Sequence, residues 1–509
     1  MYIDYKNRKP FSWLNDSSVT FLVRGYLLPN VTAEQRIKEI AKEAADYLNI
    51  ENFYEDFIYG MERGWYSLSS PEWANFGLGR GLPISCFGSY VDDSVKGILE
   101  AAAEIGMMSK IGGGTSAYLG HIRHRGSEIT NNGKTNGSFS FVPLFDTTVD
   151  VISQGTSRKG QCAVYIDVEH PDVEEWLDIH TEGNPVQLIY YGVCVGNKWL
   201  KEMKEGDEDK RKIWAKILQR RSETGIPYLF FKDNANEGKP ECYNEEEIYA
   251  SNLCSEIMLP SNKDESFVCC LASMNLLHYD EWKDTNAVKI LTYFLDAVME
   301  EFIINGSGME FMERPILFAQ NHRALGVGVL GWHSYLQDNK IPFESFEASM
   351  KNAEIFKFMK EQTLEASKEL FDKFGGPDKY PDLGRRNTTL MAVAPTKSSS
   401  YILGQVSPSI EPYKSNYYIK DLAKSKEVFR NPYLKSLLKE KNRDNDETWD
   451  SILNRDGSVQ HSDFLSNEEK DIFKTFKEIS QMAIIKQATQ RQKYIDQGQS
   501  LNVMITPVS

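Results

Sequence analysis

Asn252-Leu253-Cys254-Ser255-Glu256 places an amide, a thiol and a carboxylate at alternate positions of one short stretch. Side chains alternate between the two faces of an extended segment, so these three groups are predicted to project to one side. A thiol between a hydrogen-bonding amide and a carboxylate base suits redox or radical chemistry on a polyol. The alternative is a helix exit with one buried cysteine, because free cysteines are often core residues. The stretch alone does not decide between the two.

The composition is that of a water-soluble globular protein. The 509 residues are 41% hydrophobic and 26% charged, and the formal net charge is −15. This acidity argues against a polynucleotide partner, although a small nucleotide needs only a local anion site. There is no apolar run of about 20 residues, which a membrane-spanning helix would need, and the polar N-terminus lacks a signal-peptide core. We therefore expect a cytoplasmic protein that binds neither membrane nor nucleic acid.

The seven cysteines are scattered between Cys86 and Cys270 and include no CxxC zinc spacing. They do not form a paired disulfide framework, and a reducing compartment would keep them as thiols. His121 and His124 have no third or fourth ligand nearby in the sequence. We therefore predict no metal site.

Helical and buried-strand patterns alternate along the chain. Thr32 to Leu48 has a capping box and helical apolar spacing. Helices are also predicted over Val288 to Phe302 and Asn352 to Phe374. The apolar runs Val186 to Val195 and Thr388 to Ala394 predict buried strands. The alternation indicates an α/β architecture with a partly parallel sheet or barrel, preceded by a mostly helical region over residues 1–75.

Gly326 to Gly331 matches GxGxxG, and Glu344 follows roughly where a ribose ligand would be expected. This is the case for a nicotinamide-dependent oxidoreductase. The residues before the motif do not resemble a buried first strand, so close packing through small residues is favoured instead.

Two further loops could approach a ligand. Pro395 to Ser400 forms a hydroxyl-rich turn after an apolar run, which suits an anion, although an ordinary capped loop has the same pattern. Gln154 to Gly160 is a polar, glycine-flanked loop suited to a mobile switch, or else a surface loop. Cys86 and Cys269 each end or interrupt an apolar run and, taken singly, are typical of core residues.

Together these segments resemble the ribonucleotide reductase large subunit, most of all the class I enzymes. The order and spacing of Asn252 to Glu256, Ser85-Cys86, Cys269 and Pro395 to Ser400 match that family, and the resemblance runs from about residue 12 to residue 509. Gly326 to Gly331 fits the family's glycine-rich segment. The resemblance implies a ten-stranded α/β barrel over residues 76–509, with Cys254 on a finger loop inside it.

The resemblance also implies an activity and its residues. Ribonucleotides, in the first place ribonucleoside diphosphates, would be reduced at the 2′ carbon for DNA precursor synthesis. Cys254 would become a thiyl radical that removes the 3′ hydrogen, Glu256 would accept the 3′-OH proton, and Asn252 would hydrogen-bond the substrate. Cys86 and Cys269 would supply two electrons and end as a disulfide.

Substrate and effector contacts follow from the same resemblance. The implied substrate-binding residues are Ser70, Ser85, Gly114, Pro395, Thr396, Lys397, Ser398, Ser399 and Ser400. The implied residues for a dNTP or ATP effector at a dimer interface are Asp93, Ser94, Arg123, Gln154 and Arg158.

The resemblance further implies partners and sets an expectation about completeness. A metal-containing small (beta) subunit would supply the radical, thioredoxin or glutaredoxin would be the reductant, and the chain itself would bind no cofactor. The family's N-terminal regulatory cone, its C-terminal tyrosine pair and its cysteine tail are not in this sequence. We therefore expect the last part of the barrel to be missing and the chain alone to bind nucleotides but turn over poorly. Open alternatives are a catalytically silent nucleotide-binding paralogue and one fragment of a split reductase completed by a separate C-terminal polypeptide.

Overall fold

A computed structural model describes residues 9–155, 159–422 and 425–504. The strands are β1 Tyr66–Leu68, β2 Cys86–Tyr90, β3 Thr115–Tyr118, β4 Cys162–Asp167, β5 Tyr190–Val195, β6 Tyr228–Phe231, β7 Phe267–Asn275, β8 Leu325–Leu330, β9 Tyr417–Leu422 and β10 Ser425–Arg430. The helices are α1 Asp16–Gly25, α2 Ala33–Leu48, α3 Phe53–Glu62, α4 Ser70–Asn75, α5 Val95–Lys110, α6 Val142–Val151, α7 Val173–Trp176, α8 Asn197–Glu205, α9 Glu208–Thr224, α10 Lys232–Glu237, α11 Tyr279–Trp282, α12 Ala287–Gly306, α13 Glu313–His322, α14 Trp332–Asp338, α15 Phe346–Phe374, α16 Lys397–Ile402, α17 Pro432–Glu440, α18 Asp446–Leu453, α19 Asn467–Ile472 and α20 Gln481–Gln492.

The main sheet consists of two parallel groups of strands that meet along one antiparallel seam. Strands β2 to β6 lie side by side and are parallel. Strand β7 is antiparallel to β2 and to β1, and β8 is parallel to β7. The seam is therefore the contact between β2 and β7. Any side chains paired across it come from segments that are far apart in the sequence.

Strand β7 is the centre of the molecule. All nine of its residues are buried, and it pairs with β1, β2 and β8. The fold is the curled sheet of an α/β barrel with helices packed outside, as predicted. Eight strands of this sheet are regular within the described ranges. The sheet continues beyond β8 through parallel bridges from Val327 to Met391 and from Val393 to Gln499.

The predicted helices are confirmed, with boundaries that differ by a few residues. Thr32 caps α2 and forms the expected capping box with Gln35. Helix α12 covers the predicted Val288 to Phe302, and α15 covers Asn352 to Phe374. The region before residue 75 is mostly helical, but its strand β1 already belongs to the sheet through β7. The division at residue 75 stays a prediction.

The two predicted buried strands are shorter or less regular than expected. Only Tyr190–Val195 of the first run is a strand. The second run, residues 388–394, is extended and buried but joins its neighbours through isolated bridges. Its amides also bond to side chains, as when Leu390 N–H donates to Asp496 Oδ2. Apolar content alone predicted burial in both runs, whereas strand length depends on which neighbours supply hydrogen-bond partners.

The glycine-rich segment forms β8 and serves strand packing. A Cβ at Gly328 would lie 2.6 Å from the Ala392 carbonyl oxygen, and a Cβ at Gly326 would overlap Leu271. Gly331 ends the strand at φ +79° and caps α14. The glycines therefore allow neighbouring backbone segments to approach closely. This accounts for GxGxxG without a dinucleotide.

A buried ion network connects α12 to the residues that precede β8 and the 388–394 segment. Asp296 accepts from Arg323 Nε at 3.0 Å, from Arg386 Nε at 2.8 Å and from Asn387 Nδ2 at 2.9 Å. Burial opposes ionisation of Asp296, but the two guanidinium groups outweigh it and lower the pKa to about 2. The carboxylate is thus held ionised in the core.

Candidate active site

Cys86 and Cys269 face each other across the antiparallel seam. They are register partners on β2 and β7, and both are buried. Paired residues on antiparallel strands have Cα atoms about 4.5–5.5 Å apart, which is within the range of a disulfide. All seven cysteines are thiols in this structure. Two residues that single-site patterns assigned to the core are therefore placed as a potential redox pair.

The two thiols are buried beside amide donors. Asn252 Nδ2 donates to Cys86 Sγ at 3.4 Å. Burial raises the pKa of the Cys269 thiol well above its usual range. Cys270, the next residue on β7, points to the opposite face because side chains alternate along a strand. Cys269 is therefore the thiol of this adjacent pair that faces Cys86.

The stretch from Asn252 to Glu256 is a tight turn, and the extended conformation expected from its spacing is wrong. Ser255 has φ +67°, and its N–H donates to the Asn252 carbonyl at 3.3 Å. Asn252 Oδ1 accepts from Glu256 N–H at 3.0 Å and from Ile257 N–H at 3.1 Å. The asparagine side chain thus holds the turn closed. Asn252, Cys254 and Glu256 still border one cavity, because the turn brings their side chains together.

Glu256 has the surroundings of a proton acceptor that works near neutral pH. It is 1% exposed, and its Oε2 has no hydrogen-bond partner. Burial raises its pKa to about 7, and a hydrogen bond to Asn252 opposes the rise only in part. An unpartnered buried carboxylate oxygen is unfavourable. A hydroxyl group entering the cavity would satisfy it.

The cavity has a volume of about 1290 Å³ and is bordered by Cys86, by the turn that carries Cys254 and by the hydroxyl-rich turn that begins at Pro395. Several predicted substrate residues line it, namely Ser70, Ser85, Gly114, Pro395, Thr396, Lys397, Ser398 and Ser399. Ser400 does not line it, so the structure does not bring this residue together with the others, and its assignment stays a prediction. Its buried hydroxyl donates to the Val406 carbonyl because it lies on the inner face of α16.

At two of the lining residues, the backbone conformation and its close contacts shape the wall of the cavity. Gly114 N–H donates to the Ser85 carbonyl at 2.7 Å, and a Cβ at Gly114 would lie 3.1 Å from Leu253. Thr396 has φ +45°, and its Oγ1 accepts from Ser409 N–H at 2.8 Å. The hydroxyl-rich turn is therefore held by the segment that follows it in the chain.

The predicted effector residues fall into two places. Arg123 Nε donates to Asp93 Oδ2 at 2.8 Å beside Ser94, which caps α5. Gln154 lies near the opposite end of this helix, which is 16 residues or roughly 24 Å long at about 1.5 Å per residue. Arg158 lies outside the described residues. The structure therefore brings Asp93, Ser94 and Arg123 together and places Gln154 apart from them.

Gln154 contacts the loops that lead to the cavity. Its Nε2 donates to Asn75 Oδ1 at 2.8 Å. The amide of Asn75 in turn donates to the carbonyls of Leu82 at 2.9 Å and Ile111 at 3.1 Å. These carbonyls precede Cys86 and Gly114, respectively, by a few residues. Movement of Gln154 would therefore disturb the hydrogen bonds that Asn75 makes to both cavity-lining segments.

A separate acidic cluster could hold a cation but already contains a lysine. Glu246, Glu265 and His322 have potential ligand atoms within 4.8 Å of one another. Lys379 Nζ lies 2.8 Å from Glu246 Oε1 and 3.4 Å from Glu265 Oε2. The ammonium group supplies the positive charge that a metal ion would bring. The sequence-based expectation of no metal site stays a prediction.

Sequence reasoning missed Gln497, which is buried against Cys269. Its Nε2 donates to Cys269 Sγ at 3.4 Å, and its Oε1 accepts from Met258 N–H at 3.1 Å. The only local signal is a polar, glycine-containing segment, residues 496–500, which begins a few residues after helix α20. Such a segment is usually a surface loop, so its burial could not be foreseen.

Comparison with known proteins identifies the family of this chain. The family model described as "Ribonucleotide reductase, barrel domain" matches residues 84–210, 201–383 and 377–508. The chain belongs to the ribonucleotide reductase large-subunit family. A Frog virus 3 (isolate Goorha) protein named for the ribonucleoside-diphosphate reductase large subunit is 34% identical over 463 residues, covering 87% of this chain and 80% of that protein. A ribonucleoside-diphosphate reductase large subunit from Invertebrate iridescent virus 3 is 31% identical over 527 residues, covering 88% and 82%, respectively.

A solved structure shows the same reductase fold. The Actinobacillus ureae class Id ribonucleotide reductase alpha subunit is 61% identical to this chain and superposes with a TM-score of 0.94. The match covers 98% of this chain and 94% of that one. The predicted family and barrel fold are therefore confirmed, and the chain is a member of an oxidoreductase family. Among the described residues, no helix has the length and apolar character that crossing a bilayer requires.

Proposed function

We propose that this reductase subunit converts ribonucleoside diphosphates to 2′-deoxyribonucleotides by a thiyl-radical mechanism centred on Cys254. The observation that carries the proposal is the pairing of Cys86 with Cys269 across the seam, beside a cavity that Cys254 and Glu256 also border. Radical abstraction, proton transfer and two-electron reduction each need a separate group, and these four side chains supply them. The names of the viral relatives support diphosphate substrates.

In this mechanism the thiyl radical of Cys254 removes the 3′ hydrogen atom, and Glu256 accepts the 3′-OH proton. A proton from the cysteine pair then leaves with the 2′-OH as water. Cys86 and Cys269 give two electrons and their second proton, so a C2′–H bond replaces the broken C2′–O bond and the two sulfurs close a disulfide. Glu256 returns its proton to the 3′ oxygen, and Cys254 returns a hydrogen atom to the 3′ carbon. The balance is one ribonucleotide and two thiols converted to one deoxyribonucleotide, one water and one disulfide.

The positions of the groups support these roles. Glu256 Oε2 is buried without a partner, so a substrate hydroxyl would complete its hydrogen bonding. Its pKa of about 7 allows it to accept and return a proton at neutral pH. Asn252 holds both the turn and Cys86, so it orders the base and one reductive thiol together. We expect substrate phosphates at Thr396, Lys397, Ser398 and Ser399.

The further roles follow from the family. A metal-containing small subunit would generate the radical, thioredoxin or glutaredoxin would reduce the disulfide, and the working form would be a cytoplasmic homodimer. Asp93, Ser94 and Arg123 would bind a dNTP or ATP effector. Gln154 would relay the bound effector to the cavity, which its contact with Asn75 supports.

The decisive experiment is substitution of the proposed radical cysteine in the holoenzyme. Cys254→Ser should abolish deoxynucleotide formation, by at least about three orders of magnitude, while nucleoside diphosphate binding stays unchanged. Cys242→Ser is the matched control, because Cys242 is a half-buried thiol that does not border the cavity. Reduction that survives in Cys254→Ser would refute the radical assignment. A wild-type holoenzyme that binds nucleotides without reducing them would favour the silent paralogue.

A further inference from the structure

Gln497 is a buried side chain at the meeting point of four segments. It follows α20 and is 3% exposed. Its Oε1 accepts from Met258 N–H, at the exit of the active-site turn. Its Nε2 donates to Leu325 O at 3.0 Å, Thr389 Oγ1 at 3.0 Å and Cys269 Sγ at 3.4 Å. The amide thus connects the turn, β8, the 388–394 segment and the reductive thiol.

The two thiols of the proposed redox pair have equivalent amide neighbours. Asn252 Nδ2 lies 3.4 Å from Cys86 Sγ, and Gln497 Nε2 lies 3.4 Å from Cys269 Sγ. Cys86 borders the cavity, whereas Cys269 lies behind it on β7. A reductant entering from the cavity therefore reaches Cys86 first. Cys269 is then the sulfur that leaves when the disulfide is opened.

We propose that Gln497 is a positioning residue that orients Cys269 and stabilises its sulfur as the leaving thiolate when the Cys86–Cys269 disulfide is reduced. The inference rests on the proposed function, because it needs these two cysteines to form a disulfide. An external thiolate attacks Cys86 Sγ, the Cys86–Cys269 bond breaks, and the electron pair goes to Cys269. A second thiolate then attacks the external sulfur of the mixed disulfide, so Cys86 leaves as a thiolate and the two external thiols become a disulfide. Both cysteines take up protons from water.

The physical reason is that three acceptors compete for the two N–H groups of Gln497 Nε2. Two N–H groups serve three acceptors, and a neutral thiol is the weakest of them. When negative charge develops on Cys269, the sulfur becomes the strongest acceptor, because hydrogen bonds to ionised groups are about twice as strong as neutral ones. The donor is already in place in a dry site, so little reorganisation accompanies the change.

The test is the rate at which a small thiol, 2-mercaptoethanol, opens the oxidised pair in the purified protein, with the products mapped by mass spectrometry after acid quenching. Gln497→Met removes the donor at similar volume and should slow opening about tenfold. Gln497→Glu keeps the acceptor for Met258 but places a carboxylate beside the leaving sulfur. It should be slower than Gln497→Met, and its deficit should grow from pH 7 to pH 9 as the carboxyl ionises. A packing role predicts the reverse order and no such pH dependence.

Two further variants make the test specific. Gln460→Glu introduces the same charge away from the cavity, at an exposed side chain whose Nε2 donates to Lys470 O, and should open at the wild-type rate. Thr389→Val removes a competing acceptor at nearly constant shape and should open faster than wild type. If both Gln497 variants fail to fold, the opening rate of Thr389→Val becomes the deciding measurement. A rate equal to that of the wild type overturns the inference.

The outcomes also separate this inference from the proposed function. If oxidation of the wild-type protein yields no Cys86–Cys269 disulfide, the proposed thiol pair is wrong. If that disulfide forms and the Gln497 variants open within twofold of the wild-type rate, the pair stands and the role of Gln497 is refuted.

Discussion

At the scale of single residues, burial gives the active-site groups their chemistry. Nothing in the sequence distinguishes Glu256 and Cys269 from other residues of their types. Burial raises the pKa of both side chains. For the carboxyl group this brings the pKa to about 7. For the thiol it favours the protonated form, which can deliver a proton with its electrons. The residue types were recognisable in the sequence, but their ionisation states depend on the surrounding fold.

Glu256 should titrate near pH 7 in the substrate-free protein. Because its pKa is raised, the protonated form predominates below pH 7 and is lost as the pH rises through this value. Infrared difference spectroscopy should show a buried carboxylic-acid band at pH 6 that disappears by pH 8 and is absent from Glu256→Gln. Glu301 also has a pKa of about 7 because of burial, so Glu301→Gln serves as the control and should keep the Glu256 band. The prediction is wrong if Glu256→Gln loses no band in this range.

At the scale of elements, close backbone approach shapes both sides of the site. The turn from Asn252 to Glu256 folds back on itself through side-chain hydrogen bonds, which its alternating pattern did not predict. Strand β8 lies so close to the 388–394 segment that its glycines have no space for a side chain. The hydroxyl-rich turn that begins at Pro395 follows that segment directly. The position of this turn therefore depends on the packing of β8.

Gly328→Ala should destabilise the protein, by about 1–3 kcal/mol, because the added methyl group would press against the Ala392 carbonyl. The expected result is a lower midpoint of thermal unfolding together with weaker nucleoside diphosphate binding. Gly196→Ala is the matched control, because its Cβ would contact only the side-chain ends of Lys232 and Asp233, at 3.3 Å or more. Equal midpoints for the two variants would show that β8 tolerates the extra volume.

At the scale of the whole molecule, the antiparallel seam between two parallel groups of strands brings together the proposed redox pair. Cys86 belongs to the first group and Cys269 to the second, and only their assembly brings the sulfurs together. The second group is anchored by the Asp296 network, which connects α12 to the residues around β8. The stability of this network therefore supports the geometry of the seam.

Asp296→Asn should lower the free energy of unfolding at pH 7 by about 3–5 kcal/mol, because two buried guanidinium groups would lose their carboxylate. In the wild type this contribution is present above the unfolded-state pKa of Asp296 and is lost as the pH falls through its folded pKa of about 2. Denaturant unfolding from pH 5 downwards should therefore show a smaller acid-induced loss in Asp296→Asn.

Glu300→Gln is the control for this network. Glu300 is 35% exposed and also contacts Arg323, at 2.8 Å. Because solvent screens it, its removal should have a much smaller effect. Comparable destabilisation by the two variants would mean that burial of Asp296 is not what gives the network its strength.

The sequence alone was enough for the class of fold, the main helices and the residue types of the site. Capping residues and apolar periodicity are local properties, so α2, α12 and α15 were predictable. The match of several short motifs to one family also identified Cys86, Cys254, Glu256 and Cys269 as candidates, although each motif alone was compatible with a core or loop residue.

Only the tertiary structure decided how these candidates meet. The register of β2 against β7 pairs Cys86 with Cys269, and side-chain hydrogen bonds close the turn that carries Cys254. The same assembly buries Gln497 against Cys269 and turns Ser400 away from the cavity. Strand register and loop shape depend on contacts between residues far apart in the chain, and a local pattern contains no information about those contacts.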